Sequence, residues 1–458
     1  MTPQDVKPYL DSFINYELNL SAVAAAQFNL DRVKRVLFEL GDPQQYLKCI
    51  HVAGSKGKGS TCAFIASILR QAGYKVGLYT SPHLKRVNER VRILSLSAAH
   101  RSADEIFPDE ITDQELAKIL SEIKPILENF RHTKQYGDLS YYEVLTIAAL
   151  CHFRAENVDW VVLETGLGGR LDATNVVDSL VCAITPISLE HTQILGTTIA
   201  AIAKEKAAII KANRPMVIIA PQEPEAFKVI EKQCGTQQAE YHCVGKDIIP
   251  KLIQQDLEGL VFEVRGHRGT YRLKTSLLGM HQIINAATAI GVIEALQANG
   301  AKVSVRDIAQ GVEQTQWPGR FEVVGQKPYI ILDCAHNPSS SVQLVKTMQE
   351  LFPGKKARLV FGVSKDKDRA GMCCALNAIV EEVILTKAAH PRAGDLSIKE
   401  MQNYFSPKPL QTAKNLRQAI EMALHNIRAE DIVLVTGSIF IIAEAREYLS
   451  GTKYASHR

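Results

Sequence analysis

Residues Cys49–Ser60 read CIHVAGSKGKGS, and this stretch decides the fold. Cys49–Ala53 is a short apolar run with β-branched residues, the pattern of a buried strand. Gly54, Gly57 and Gly59 break it, with Ser55, Lys56, Lys58 and Ser60 around them. Helical spacing follows at once: Phe64, Ile65, Ile68, Leu69 and Ala72 recur on one face before Gly73 stops the pattern. Strand, glycine turn, lysine, hydroxyl and helix make a phosphate cradle. Glycines let amide N–H groups face an anion, the helix N-terminus adds partial positive charge, and the lysine reaches the terminal phosphates. The spacing is tighter than in the usual P-loop, because only two residues separate Gly54 from Gly57, and Gly59 stands between Lys58 and Ser60. The bland alternative is a glycine turn with no ligand. The strand before it and the helix after it argue against that.

Working outward, Lys75–Thr80 predicts a second strand, ending in Ser81-Pro82-His83. Ligands of open α/β sheets sit at such carboxyl ends. Arg86, Glu89, Arg90 and Arg92 follow and read as a solvated charged face. Helical patterns fall at Val6–Phe13, Leu30–Leu40, around Asp113–Phe130 and from Tyr141 to Ala155, with an insertion or mobile loop expected near Ala98–Ile111. Trp160–Leu163 predicts a third strand, closed by Glu164 and followed by TGLGGRLDATN. In P-loop enzymes a carboxylate placed there holds Mg²⁺ directly or through water, while a turn or cap carboxylate is the structural alternative. Leu180–Thr185 predicts a fourth strand. His191 lies beyond it, on the same rim as Ser81 and Glu164, and both a structural and a ligand role stay open.

Lys206 is the most informative single residue. A helix over Thr198–Lys211 has an apolar stripe of Ile199, Ile202, Ala203, Ile209 and Ile210, and Lys206 falls on it. An inward lysine is costly unless paired or chemically altered. It could meet a phosphate or an acid, or react with CO₂ to form an anionic carbamate. Spacing alone favours snorkelling at the helix edge. Met216–Ala220 predicts a fifth strand, Gly259–Leu273 antiparallel strands, and Gly279–Leu296 a helix carrying Asn285.

Near Gln314–Gly319 the chain changes register. Strands at Tyr329–Asp333, Arg358–Val363, Glu382–Thr386 and Ile432–Thr436 alternate with helices such as Ser341–Leu351 and Leu416–Ile427, which predicts a second parallel sheet. The expected class is therefore α/β, with mostly parallel sheets in two domains, 1–314 and a smaller 319–458. Composition agrees: 46% of the 458 residues are hydrophobic and 22% charged, the range of ordinary globular chains. A net charge of +4 without a basic tract argues against nucleic acid as a partner. Nine scattered cysteines, with no CxxC pair, suggest neither a disulfide framework nor a zinc site. No signal-like or membrane-length apolar run is seen, so no membrane role is expected and a reducing cytosol is the simplest compartment.

Ten stretches in order, among them HVAGSKGKGST, YTSPHL, SYYEVLT, LETGLGGRLDATN, GMHQIINAATAI, WPGRFE, LDCAHNP and VTGS, resemble the folylpolyglutamate synthase and dihydrofolate synthase family, within the Mur ligase superfamily. The resemblance implies an N-terminal P-loop ATPase domain, a C-terminal Rossmann-like domain and an active site between them. It implies ATP, Mg²⁺, a folate or dihydropteroate, and L-glutamate, and it suggests a monomer. By position, Ser55, Lys56, Gly57, Lys58, Gly59 and Ser60 would hold ATP phosphates, and Ser81, Glu164 and His191 would bind magnesium. Lys206 falls at the family's carbamylated lysine. Lys58, Lys206, His191 and Glu164 would serve catalysis. Asn285, Arg320 and Asp333 would contact ATP. Ser140, Tyr141, Tyr142, Glu143, Leu171, Asp172 and Ala173 would line the pterin pocket, and His336 and Ser438 would hold glutamate. Two rivals remain: another Mur-type amino-acid ligase, for whose uridine-nucleotide domain the stretch before Cys49 is short, and a P-loop module that uses ATP as a switch.

Overall fold

Five consecutive fully buried residues, Cys49–Ala53, form the strand on which the larger part of the protein is built. The computed structural model describes residues 1–18, 28–97, 106–131, 137–213 and 215–452. The chain packs as two compact units. One comprises Met1–Leu252, Phe262–Lys274 and Ile283–Thr315, the other Ile253–Val261, Thr275–Gln282 and Gln316–Arg458.

The first unit's strands are β1 (Cys49–Ala53), β2 (Val76–Tyr79), β3 (Val91–Leu94), β4 (Trp160–Glu164), β5 (Val181–Ile184), β6 (Met216–Ile219) and β7 (Tyr241–Cys243). They pair in the order β3-β2-β4-β1-β5-β6-β7, all parallel except the β2–β3 edge pair. Apolar runs such as VVL in β4 and VCAI in β5 are buried on both faces, as parallel strands between helices must be. Register decides where the site lies. Val52 sits opposite Glu164, and Ala53 opposite Ile184, so the chain leaves β1, β4 and β5 at nearly one level. The sheet's direction of winding reverses at β1, the place where open α/β sheets leave a crevice.

A three-stranded sheet follows, β8 (Ile249–Asp256), β9 (Gly259–Arg265) and β10 (Thr270–Thr275), in the order β10-β9-β8. The second unit has β11 (Glu322–Gln326), β12 (Tyr329–Asp333), β13 (Ala357–Phe361), β14 (Val380–Leu385), β15 (Leu410–Thr412) and β16 (Ile432–Thr436). Their order is β11-β12-β16-β13-β14-β15, parallel apart from the antiparallel β11–β12 pair. Its core is a separate cluster that includes Ile331, Leu359, Phe361, Val383 and Leu434.

Two expectations change. The helix over Thr198–Lys211 ends at Ala207, because the amides of Ile209 and Ile210 bond back three residues and tighten the last turn. Glu89, Arg90 and Arg92 are buried, not solvated: Arg92 grips Asp109 at 2.8 and 2.9 Å, and Arg90 grips Glu17. The insertion expected near Ala98–Ile111 lies partly outside the described residues. Within them, Arg92 bridges to Glu110. Among the described residues no helix is long and apolar enough to cross a membrane.

Candidate functional site at the carboxyl end of the first sheet

Gly54 follows β1 directly and adopts φ +147°. A Cβ there would stand 1.9 Å from Thr185 Oγ1 and 2.8 Å from the Thr185 carbonyl, so the loop passes β5 too closely for any side chain. Gly57, at φ +82°, caps the helix Lys58–Gln71, and its Cβ would meet Asn285 Oδ1 at 2.2 Å. Between these glycines the amides of Ser55 and Lys56 donate to the Pro186 carbonyl at 3.0 and 3.1 Å, and Ser55 Oγ donates to the Ser188 carbonyl. The loop is thereby tied down, and the amides of residues 57–60 remain as the helix N-terminus available to an anion. Gly54→Ala should cost about 3 kcal/mol through strain and overpacking together. Gly73→Ala also sits at positive φ, +87°, but has open space around it, and should cost only about 1 kcal/mol. Equal losses in denaturant unfolding would contradict the close-approach argument.

Two lysines converge on the Gly54 carbonyl. Lys58 Nζ donates to it at 3.1 Å and Lys206 Nζ at 2.8 Å. Lys206 is 2% exposed, and it also pairs with Glu190 Oε1 at 2.8 Å. The inward orientation read from the helix stripe is thus what the structure shows, and snorkelling is not. Lys56 Nζ lies 3.9 Å from the other Glu190 oxygen. Burial alone would raise the Glu190 carboxyl, but Lys206, Lys58 and Lys56 together hold it down at about 2. Burial pushes the Lys206 ammonium below its ordinary value, with Glu190 pulling the other way. Glu190 was missed in the sequence. The signal was available: a lysine on an apolar stripe needs an anion, and Glu190 stands beside His191.

Ser81 and Glu164 meet, as the Ser81 amide donates to Glu164 Oε2 at 3.0 Å. Glu164 is buried at the end of β4. His191 is exposed and heads the turn Thr192–Leu195 with φ +46°. The oxygen donors that Ser81 and Glu164 bring together from two strand ends fit Mg²⁺ whose remaining positions are filled by phosphate oxygens, while the His191 imidazole is a less usual ligand for that ion. No group of three or more His, Cys, Asp or Glu side chains poised for a metal occurs among the described residues.

The next loop supplies a second polar cluster. Asp172 accepts from the Leu167 and Thr174 amides at 2.8 and 3.0 Å, from Thr174 Oγ1 at 2.5 Å and from Tyr142 OH at 3.3 Å. Burial pushes its carboxyl above the usual value while these donors pull it down. Leu171 and Ala173 flank it in sequence, half-buried and buried respectively. Ser140 and Glu143 form a capping box at the start of Tyr141–Ala155, and Glu143 also takes Arg32 Nε at 2.7 Å. Both side chains therefore have partners inside the protein. Tyr141 is buried beneath the Arg90 guanidinium.

In the second unit, Asp333 ends β12 and accepts from the Phe321 and Ala335 amides at 2.9 and 2.8 Å, beside Arg320. Burial pushes its carboxyl up, and Arg320 opposes this. His336 Nδ1 bonds the Cys334 carbonyl at 2.8 Å. Ser438 caps Ile439–Ser450 just after β16, the strand that pairs Thr436 with Asp333. These groups share one end of the second sheet.

Residues 52–293 match the Mur ligase middle domain, and residues 319–439 match the Mur ligase glutamate ligase domain. A Bacillus subtilis dihydrofolate synthase/folylpolyglutamate synthase is 34% identical over 92% of this chain and 94% of its own. The Mycobacterium tuberculosis folylpolyglutamate synthase complexed with ADP superimposes with a TM-score of 0.85, at 29% identity, over 99% of both chains. An E. coli FolC structure in complex with DHPP and ADP has a TM-score of 0.79, at 32% identity, over 93% of this chain and 94% of that one. These matches run over nearly the whole of each chain, and this protein belongs to the folylpolyglutamate synthase/dihydrofolate synthase family of Mur ligases.

Proposed function

We propose that this chain adds L-glutamate to the carboxylate of a folate or dihydropteroate, using ATP and releasing ADP and phosphate. The observation that supports the reading best is the convergence of Lys58 and Lys206 on the Gly54 carbonyl, above the amides of residues 57–60. A carboxylate and an amine do not condense at neutral pH without activation. Transfer of the γ-phosphoryl group to the substrate carboxylate gives an acyl phosphate. The glutamate amine then attacks its carbonyl, and phosphate leaves with the C–O bond electrons.

Lys58 would face the transferring phosphoryl group, and the amides of Gly57, Lys58, Gly59 and Ser60 would hold the neighbouring phosphates. Ser81, Glu164 and His191 would hold Mg²⁺. When bound, that ion neutralises charge on the phosphates. Lys206 serves either as the buried ammonium seen here or, once carbamylated, as an anion facing the ion. In the second case Glu190 would lose its closest cation and depend on Lys56 and Lys58. The Asp172–Tyr142 cluster is the proposed pterin side. Arg320, Asp333 and Asn285 are proposed for the nucleotide, and His336 and Ser438 for glutamate.

The test is ADP release with dihydropteroate and with tetrahydrofolate, each with and without L-glutamate. Rapid ADP release is expected only when a pterin acid and glutamate are both present. Release that ignores both would favour a nucleotide switch instead. The same assay assigns the preferred pterin.

A further inference from the structure

The segment that presents Ser81 is held by charges that the sequence places several residues away. Glu89 accepts the Leu84 amide on Oε2 at 2.6 Å, and the Lys85 and Arg86 amides on Oε1 at 2.8 and 2.7 Å. Arg90 is 1% exposed, and its guanidinium grips both Glu17 oxygens at 2.8 and 2.6 Å. Its Nε donates to His83 Nδ1 at 2.9 Å, which places the imidazole proton on Nε2. The Arg90 carbonyl accepts the Thr80 amide at 3.1 Å. With Ser81 N on Glu164, the amides of residues 80, 81, 84, 85 and 86 are all committed. Burying two charges is a poor way to gain stability alone, since apolar side chains of similar size often do as well. What these bonds share is their destination, the chain on either side of Ser81.

We infer that Glu89 and Arg90 are positioning residues that hold Ser81 and His83 at the phosphate rim, with Glu17 as the counter-charge of Arg90. The inference rests on the proposed role of Ser81 in holding Mg²⁺. Outer groups that orient metal-binding residues commonly change metal affinity 10- to 100-fold when replaced. In Glu89→Gln one oxygen remains, but an NH₂ faces an amide donor. In Arg90→Lys the charge remains, but the two-pronged grip is lost.

The experiment is calorimetric ADP binding to the full chain across a Mg²⁺ titration, with thermal unfolding in parallel. Both variants should raise the Mg²⁺ midpoint about tenfold, with Mg²⁺-free ADP affinity near native. Should either fail to fold, Glu17→Gln should shift the midpoint the same way. Ser81→Ala is run alongside. If it shifts the midpoint and the Glu89 and Arg90 variants do not, the positioning inference is overturned while the Ser81 reading stands. If Ser81→Ala itself leaves the midpoint unchanged, both fall. Equal losses of ADP affinity with and without Mg²⁺ would indicate general damage and overturn the inference too.

Discussion

Lys58→Ala should lower ADP formation by a factor of about 10²–10³, roughly 3–4 kcal/mol of transition-state stabilisation, with little change in stability. Lys58 is the first residue of its helix, is only half-buried, and bonds within the protein to the Gly54 carbonyl. That bond is replaceable by water, so the fold has little to lose. The charge that develops on a transferring phosphoryl group is not replaceable, because a positioned ammonium is worth far more in a water-poor site than in bulk. Lys58→Arg should recover only part of the rate, since a planar fork cannot occupy the place of a point charge. Steady-state ADP release together with a thermal melt checks this. Normal turnover in Lys58→Ala would remove Lys58 from the chemistry.

Breaking the Lys206–Glu190 pair should have the largest effect on stability. Lys206→Met leaves Glu190 without its nearest cation, and Glu190→Gln leaves a buried ammonium beside Lys58. Removing one partner of a buried pair costs about 3–5 kcal/mol, whereas replacing both can be nearly neutral. The double variant should therefore lose much less than the sum of the two singles in a denaturant-unfolding cycle.

The acid limb of stability gives an independent check. The Glu190 carboxyl is held at about 2, against 4.5 for an ordinary glutamate. A group with a depressed folded value contributes stability above about pH 4.5, and loses it as the pH falls from there towards 2. The contribution is bounded by about 3 kcal/mol, and the burial of Lys206 offsets part of it. In Glu190→Gln this limb should flatten between pH 4.5 and 2. An unchanged acid limb would mean that Glu190 is not the anion of this cluster.

Much of the first unit was legible because its signals are local. The glycine cradle, the strand ends at Ser81 and Glu164, and the stripe carrying Lys206 each lie within one short window of sequence. The edge strands β3, β7, β11 and β15 were not anticipated, since three to five residues with mixed burial carry no clear period. Long-range ion pairs were invisible for a different reason. Arg90 finds Glu17 73 positions away, and Arg32 finds Glu143 111 positions away. Charges that look solvated in sequence are buried once the fold brings their partners. Glu143 shows the converse: placed on a pterin pocket by resemblance, it spends its carboxylate on a helix cap and on Arg32. Glu190 could have been found by asking what neutralises Lys206.

In this mechanism the γ-phosphoryl group is transferred to the substrate's own carboxylate, and the phosphate released carries away one oxygen of it. This transfer is tested most directly by labelling that carboxyl with ¹⁸O and analysing the phosphate released during one round of glutamate addition. One labelled oxygen should appear in inorganic phosphate for each ADP formed. Unlabelled phosphate, or label recovered in AMP, would contradict the account.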